Sequence, residues 1–544
     1  MNRIQIFLSN RLTGILFTLT SILAINSLQQ VLENFGWDNS FSIAGAKNIS
    51  EGHGYSVKTV SPEDFSKVLY EPIDKWPPGY SWLLIFVHAI TATDWIHAAY
   101  ILNAIGLTLL VLVFRRMLFQ LFYPSWIVNI SVFYFGFVFH YFFGIYFSDI
   151  FSLLFFMAGC SFLLGYLQSG KNPFYLMLIS SVLFSFSAGL KYLYFGLAFV
   201  PLLVLFCFGY KIRKKKIKWA AIKGLSIIVF CIGFLILYQY GNSGKPMYIK
   251  PSVRMGFYPD QLFLLTPIIP GSFLNLNFLN VQISGHARIT YENLNTIWSI
   301  INFGCSIWLL YICWFAIRKK NLFQNDSIRF YALLSISVTI YIFIFLGSLS
   351  LFLNKYYADM HPWVHIQEAR YFAPFCILIL QFAIFLFLKP SVFLGKTASL
   401  IFKLLMVFII TEEIVHSSYF IIKQIFVKKE FGLSRVSEQY VLQSLRLTQL
   451  ALKKNDHVVV CSDDAEIPNM CSLTGSSAVF DLKALQKLPP SSEPLLLISI
   501  VSQISKASLG SNLFRMDTKL VCEQNGYFYY FTNVSGEKKN ETFP

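Results

Sequence analysis

Uncharged apolar stretches of span length recur along this chain as far as residue 422, and they leave few alternatives for its fold. An α-helix needs about 20 mostly apolar residues to cross the hydrocarbon core of a bilayer. By that rule spans are predicted at 12–31, 96–114, 124–143, 149–168, 173–190, 193–210, 219–240, 296–316, 330–353, 370–388 and 397–422. That makes about eleven. The apolar segment 78–90 is too short to cross and is predicted to lie as a helix along the interface. Composition agrees: 13% of the 544 residues are charged, against roughly 25% in soluble globular chains.

Charge orients the spans. With the N-terminus inside, the inner loops hold Arg115 and Arg116, then Lys171, then Lys211 to Lys218, then Arg318 to Lys320, and finally Lys389 and Lys396, with Asp326 the one clear acid among them. The first outer loop instead carries Glu33, Asp38, Glu51, Glu63, Asp64, Glu71 and Asp74 against four Lys. This is the positive-inside pattern, and it breaks if 78–90 is counted as a span. The basic stretch Met1 to Arg11 and the apolar run after it show no small-x-small cleavage site, so an uncleaved first span is expected. The net charge of +16 therefore reflects topology. No Lys/Arg cluster interleaved with stacking aromatics lies in a soluble segment, which excludes nucleic acid as a partner class.

The tail differs in composition. Residues 456–461 and 495–501 read as short buried strands, 527–532 as a final strand, and 439–454 and 481–487 as helices. The expected architecture is an all-α polytopic membrane domain over 1–427, with outer loops 32–95 and 241–295, followed by a small α/β extracytoplasmic domain over 428–544. Cys461, Cys471 and Cys522 lie in this tail, where one pair could form a disulfide and leave one thiol over. No internal repeat is visible, which counts weakly against a secondary transporter.

Charged residues at the outer span boundaries stand out, because charge close to hydrocarbon is costly and often functional. Asp38 precedes the helix-like stretch 41–49, and Asp149 begins the fourth span; both also suit plain N-terminal capping. Asp74 and Lys75 stand in the Pro-punctuated turn before the interfacial helix. Lys191 sits between two spans on the outer side, against the orientation rule, where snorkelling is the plainer explanation. Arg370 opens the tenth span with His361, His365 and Glu368 beside it. Carboxylates and cations on one membrane face suit a phosphate-linked substrate: cations neutralise the phosphate while a carboxylate serves as base or metal ligand.

The order of these motifs resembles the GT-C superfamily of polytopic glycosyltransferases, and most closely its branch of protein O-mannosyltransferases and lipid A aminoarabinose transferases. Asp38 followed by Ala44-Gly-Ala-Lys-Asn-Ile-Ser-Glu-Gly-His-Gly-Tyr55 looks like the family's first-loop aspartate and its A-x-N-[IL]-x-x-G-x-G-Y stretch. Asp74-Lys75-Trp76-Pro77-Pro78-Gly79-Tyr80 is similar to [DE]-K-x-P-x-x-Y. Tyr146-Phe-Ser-Asp149 resembles the second acidic motif, with one carboxylate in place of a D-x-D pair, and Arg370-Tyr-Phe-Ala-Pro374 resembles R-[FY]-x-x-P. The likeness is good over about residues 10–200 and patchy beyond.

The resemblance implies an inverting transfer of a sugar from a polyprenyl-phosphate carrier to a hydroxyl of a glycan, lipid or protein acceptor. It takes place at the extracytoplasmic face of a multi-pass membrane protein, the bacterial inner membrane being the expected location. Asp38 would be the general base; Lys75, Lys191 and Arg370 would hold the carrier phosphate. Asp149, with Asp74, would bind Mg²⁺ or Mn²⁺ or orient the acceptor, and His361, His365 and Glu368 would serve the acceptor side. The competing classes are a membrane transporter or flippase, which needs charges near the bilayer midplane, and a polysaccharide polymerase or ligase.

Overall fold

A computed structural model of the chain describes residues 3–32, 36–138, 147–169, 173–245, 326–352, 436–455, 457–462, 466–479, 495–502, 518–524 and 527–534, with isolated positions at 257, 300 and between 400 and 422. Among the described residues, five helical stretches are long and apolar enough to cross a membrane: Trp95–Gln120, Phe147–Gln168, Leu193–Lys211, Lys215–Ser243 and Asp326–Phe345. Shorter apolar helices cover Arg11–Ser27, Gly79–Thr91, Ser125–Phe137 and Phe174–Leu190. The spans expected at 296–316 and 370–388, and the tail helix expected at 481–487, lie outside the described residues.

The chain divides into two compact units. The first comprises Met1–Leu32, Ala104–Ile236 and Ile249–Gln424. Its helices are laced by hydroxyls and amides bonded to backbone carbonyls, which suits a medium that offers no water to an unpaired polar group. Ser180 Oγ donates to Gly159 O (2.7 Å) and Ser187 Oγ to Ser152 O (2.9 Å), joining helix Phe147–Gln168 to Phe174–Leu190. Asn129 Nδ2 donates to Leu8 O (2.7 Å), and Arg115 Nη1 to Gly14 O (2.7 Å), fastening the first helices of the chain to their neighbours.

The second unit gathers Glu33–Asn103, Leu237–Tyr248 and Ile425–Pro544. Its centre is a seven-stranded sheet of order β2-β1-β4-β3-β5-β7-β6. The strands are β1 (Ser56–Ser61), β2 (Asp64–Pro72), β3 (Val458–Ser462), β4 (Ser477–Val479), β5 (Leu495–Ser502), β6 (Thr518–Gln524) and β7 (Tyr527–Val534). The tail strands expected from sequence correspond to β3, β5 and β7; β4, β6 and the β1–β2 hairpin were not anticipated. Strand β3 runs parallel to both β4 and β5 and every residue of it is buried, as a strand covered on both faces requires. Alternate residues Val459, Cys461, Leu495 and Leu497 share one core with Val60, Phe65, Phe528 and Tyr530.

The first-loop hairpin therefore belongs to the same sheet as the tail, through the parallel pairing of Thr59 with Ala478. Two first-loop lysines reinforce it. Lys47 Nζ donates to Ser472 O and Leu473 O (both 3.1 Å), placing a cation at the C-terminus of helix Glu466–Ser472, where the carbonyl dipoles favour one. Lys58 Nζ donates to Gly475 O, and burial together with the Lys47 charge pulls its pKa below the usual lysine range. Cys471 is a buried thiol and forms no disulfide; burial pushes its pKa up to about 12.

Helix Gly79–Thr91 has the length and pattern expected of an interfacial helix. Tyr80, Ser81, Leu84 and Val87 face inward at three- and four-residue spacing, while Phe86 (66%) and Ile90 (67%) are exposed. Ala92 in the left-handed region ends it, its N–H bonded to His88 O.

Tyr55 is fully buried, and its backbone is clamped by one side chain: Tyr55 N donates to Asn242 Oδ1 (3.0 Å) and Asn242 Nδ2 donates to Tyr55 O (2.9 Å). Asn242→Ala is expected to cost about 1–3 kcal/mol through these two bonds. The check is the thermal midpoint of the purified protein, which should fall by roughly 2–4 °C per kcal/mol for a unit of this size.

Candidate functional site

The Gly-rich motif of the first loop builds a platform. Helix Gly36–Ser50 ends at Gly52 (φ +85°) and Gly54 (φ +71°), left-handed positions that let the chain reverse into β1. Asn48 Nδ2 donates to Ser56 O (2.8 Å) across that reversal. The Tyr55 ring then lies flat against the helix: a Cβ on Gly45 would stand 2.5 Å from Tyr55 Cε2, so only glycine fits there. Phe41, Ala44, Tyr55, Val57 and Ile73 form the core beneath, with Trp76 packed against it.

This core fixes the Asp74–Pro78 turn. Ile73 N donates to Tyr55 O (2.9 Å), Gln239 Nε2 to Ile73 O (2.8 Å) and Tyr55 OH to Pro77 O (3.5 Å). The Trp76 ring lies 5.1 Å from Phe41, and Lys75 Nζ stands 5.9 Å from the Phe41 ring centre and 5.8 Å from that of Trp76. Asp38 is in the first turn of the same helix, three residues before Phe41, the ring that Lys75 approaches. Asp38 is half-buried, and Ser42 Oγ donates to its carbonyl (3.0 Å). Ser81 Oγ donates to Ser42 O (2.6 Å), tying helix Gly79–Thr91 to the same turn. Asp74 Oδ2 is 3.7 Å from Lys245 Nζ.

Asp149 and Lys191 form a separate group, in the first unit. Asp149 opens helix Phe147–Gln168, and Lys191 ends helix Phe174–Leu190 in an extended conformation (φ −154°, ψ 134°). The ammonium lies 2.5 Å from each carboxylate oxygen, and the two side chains are only 10% and 3% exposed. Snorkelling does not account for this lysine: it is drawn inward to a carboxylate. The pair was singled out from sequence as two residues with separate roles, and their mutual contact was not anticipated.

Arg370, His361, His365 and Glu368 lie outside the described residues. Gln239, Asn242 and Lys245, which hold the first loop, were missed; the available signal was a polar Gln-Tyr-Gly-Asn run closing an apolar helix. For a divalent cation the described donors fit poorly. Among the described residues no three His, Cys, Asp or Glu side chains converge, and the two carboxylates proposed as ligands each face a lysine. A cation at Asp149 would have to displace the Lys191 ammonium.

Removing one member of the buried pair leaves an uncompensated charge, so Asp149→Asn or Lys191→Met is expected to destabilise the protein by about 3–5 kcal/mol. Combining the two should recover much of that loss; thermal midpoints of the two single variants and the double variant measure the coupling.

No family model and no curated protein matches the sequence. Solved structures do. ArnT from Cupriavidus metallidurans in the apo state superposes with a TM-score of 0.54 at 12% identity, covering 95% of this chain and 97% of that one. The same protein bound to undecaprenyl phosphate gives 0.52, with the same identity and coverage. The oligosaccharyltransferase AglB from Archaeoglobus fulgidus, in complex with an inhibitory peptide and a dolichol-phosphate, gives 0.47 at 8% identity over 91% of this chain and 70% of that one, below the level at which a common fold follows. Along nearly its whole length, the chain has the fold of the aminoarabinose transferase ArnT, a GT-C glycosyltransferase.

Proposed function

We propose that this chain is a lipid-linked sugar transferase, moving a sugar from a polyprenyl-phosphate carrier to an acceptor hydroxyl with inversion at the anomeric carbon. The observation that carries the reading is the approach of Lys75 to Phe41, one helical turn from Asp38, in a chain with the fold of a protein crystallised with undecaprenyl phosphate.

Asp38 takes the proton of the acceptor hydroxyl as that oxygen attacks the anomeric carbon. The bond from the anomeric carbon to the carrier phosphate oxygen breaks, and the polyprenyl phosphate departs. Lys75 and Arg370 stabilise the charge developing on the departing phosphate, in an environment where water competes weakly. One base suffices for a single displacement, unlike the paired carboxylates of retaining hydrolysis. Lys191 enters through its pairing with Asp149, which ties together the two helices that carry them. Asp74 is kept for the acceptor side, with His361, His365 and Glu368. In this reading the reaction takes place at the outer leaflet, opposite the lysine-rich loops.

Label transfer from a polyprenyl-phosphate sugar in proteoliposomes tests the reading. Asp38→Asn should abolish transfer while leaving membrane insertion and donor binding intact; unchanged transfer would overturn the assignment. Lys75→Ala and Arg370→Ala should each weaken donor binding by roughly 10–100-fold, the weight of one charge-assisted hydrogen bond. A loss of turnover at unaltered donor affinity would contradict the phosphate role.

A further inference from the structure

Helix Trp95–Gln120 ends beside helix Phe147–Gln168 at an open cleft of about 480 Å³ that has no part in the transfer reaction proposed above. Its walls are of two kinds. Leu112, Phe119 and Phe122 present exposed apolar surface, and the adjacent Arg115 and Arg116 supply the charge. The remaining lining residues are Gln120 and Gln168, so no carboxylate lines the cleft.

Both arginines are held in place. Arg115 Nη1 donates to Gly14 O (2.7 Å) and to Thr18 Oγ1. Arg116 is exposed, and its guanidinium carbon lies 4.9 Å from the Phe162 ring centre, a cation–π contact that leaves its N–H groups open to a ligand. The floor is closed: Gln120 Nε2 donates to Ser161 O (3.0 Å), Ser161 Oγ returns a bond to Gln120 Oε1 (2.9 Å), and Gln168 Nε2 donates to Gln120 O.

The lip is strained. Phe122 has φ +60°, and the bonds Tyr123 N to Leu118 O and Phe122 N to Phe119 O close the helix around it. That position ordinarily takes glycine. Here it carries a bulky aromatic that is 60% exposed, so nothing within the described fold rewards the ring for the strain.

We propose that this cleft binds the headgroup of an anionic phospholipid, its phosphodiester on Arg116 and Arg115 and its acyl chains against Leu112, Phe119 and Phe122. Charge complementarity selects this occupant: planar guanidinium groups match phosphate oxygens, and exposed aromatics at the rim suit chains descending into hydrocarbon.

Binding is read by native mass spectrometry of the delipidated full chain in detergent, titrated separately with dioleoylphosphatidylglycerol, dioleoylphosphatidylcholine and inorganic phosphate. Phosphatidylglycerol should bind at least several-fold tighter than phosphatidylcholine, and inorganic phosphate should not compete with it. Arg116→Gln should weaken phosphatidylglycerol roughly fivefold, the weight of one basic residue at a membrane surface. Phe122→Gly relieves the backbone, so it should stay folded and yet lose lipid affinity; a fold defect would show as a lowered thermal midpoint instead. Lys216→Gln, an exposed charge outside the cleft, is the control. Equal affinity for the two lipids, competition by inorganic phosphate, or equal losses in Arg116→Gln and Lys216→Gln would each overturn the proposal.

Discussion

Tyr55 is the residue on which the second unit turns. Its ring fills the space that Gly45 leaves open, its backbone is clamped by Asn242, its carbonyl also receives the Ile73 N–H, and its hydroxyl reaches Pro77. One buried side chain thus sets the distance between helix Gly36–Ser50 and the turn that carries Lys75. Asp38 and Lys75 keep their relation because what lies beneath them is closely packed, and packed interiors deform little.

The same logic explains the short motifs. In Ala46-Lys-Asn-Ile-Ser-Glu-Gly-His-Gly-Tyr55, Ala46 is a buried residue of the helix, Asn48 bridges to Ser56, Gly52 and Gly54 supply the left-handed turn, and Tyr55 is the core plug. Each of these residues has a role in the fold. The motif is a scaffold, and its spacing is dictated by the reversal from helix to strand. Lys47 within it serves the fold as well, since it caps the helix that ends at Ser472.

Among the described residues, charged side chains that the apolar helices cover are held by polar partners. Lys191 meets Asp149, and Arg115 meets Gly14 O and Thr18. A lone charge there would be costly, so the helices that carry these residues are held in register by them. The candidates therefore separate into a pair whose charges are satisfied by each other and a first-loop set built on Tyr55. The amino-acid order does not distinguish them, because Asp149 and Asp38 both read as acids at helix N-termini.

The sequence alone determined the five long apolar helices among the described residues, because hydrophobic length against bilayer thickness is a local property that needs no partner. It determined the short helix before the second span and the tail strands Val458–Ser462 and Leu495–Ser502, whose unbroken apolar runs are their own signal. Only the tertiary structure decided that β1 of the first loop pairs with β4 of the tail, that Asn242 clamps Tyr55, and that Lys191 answers Asp149. These contacts join residues 42 to 419 positions apart, and no pattern within a window of sequence records them. They exist because backbone donors, buried amides and buried charges each need a partner, and folding supplies it from wherever the chain passes.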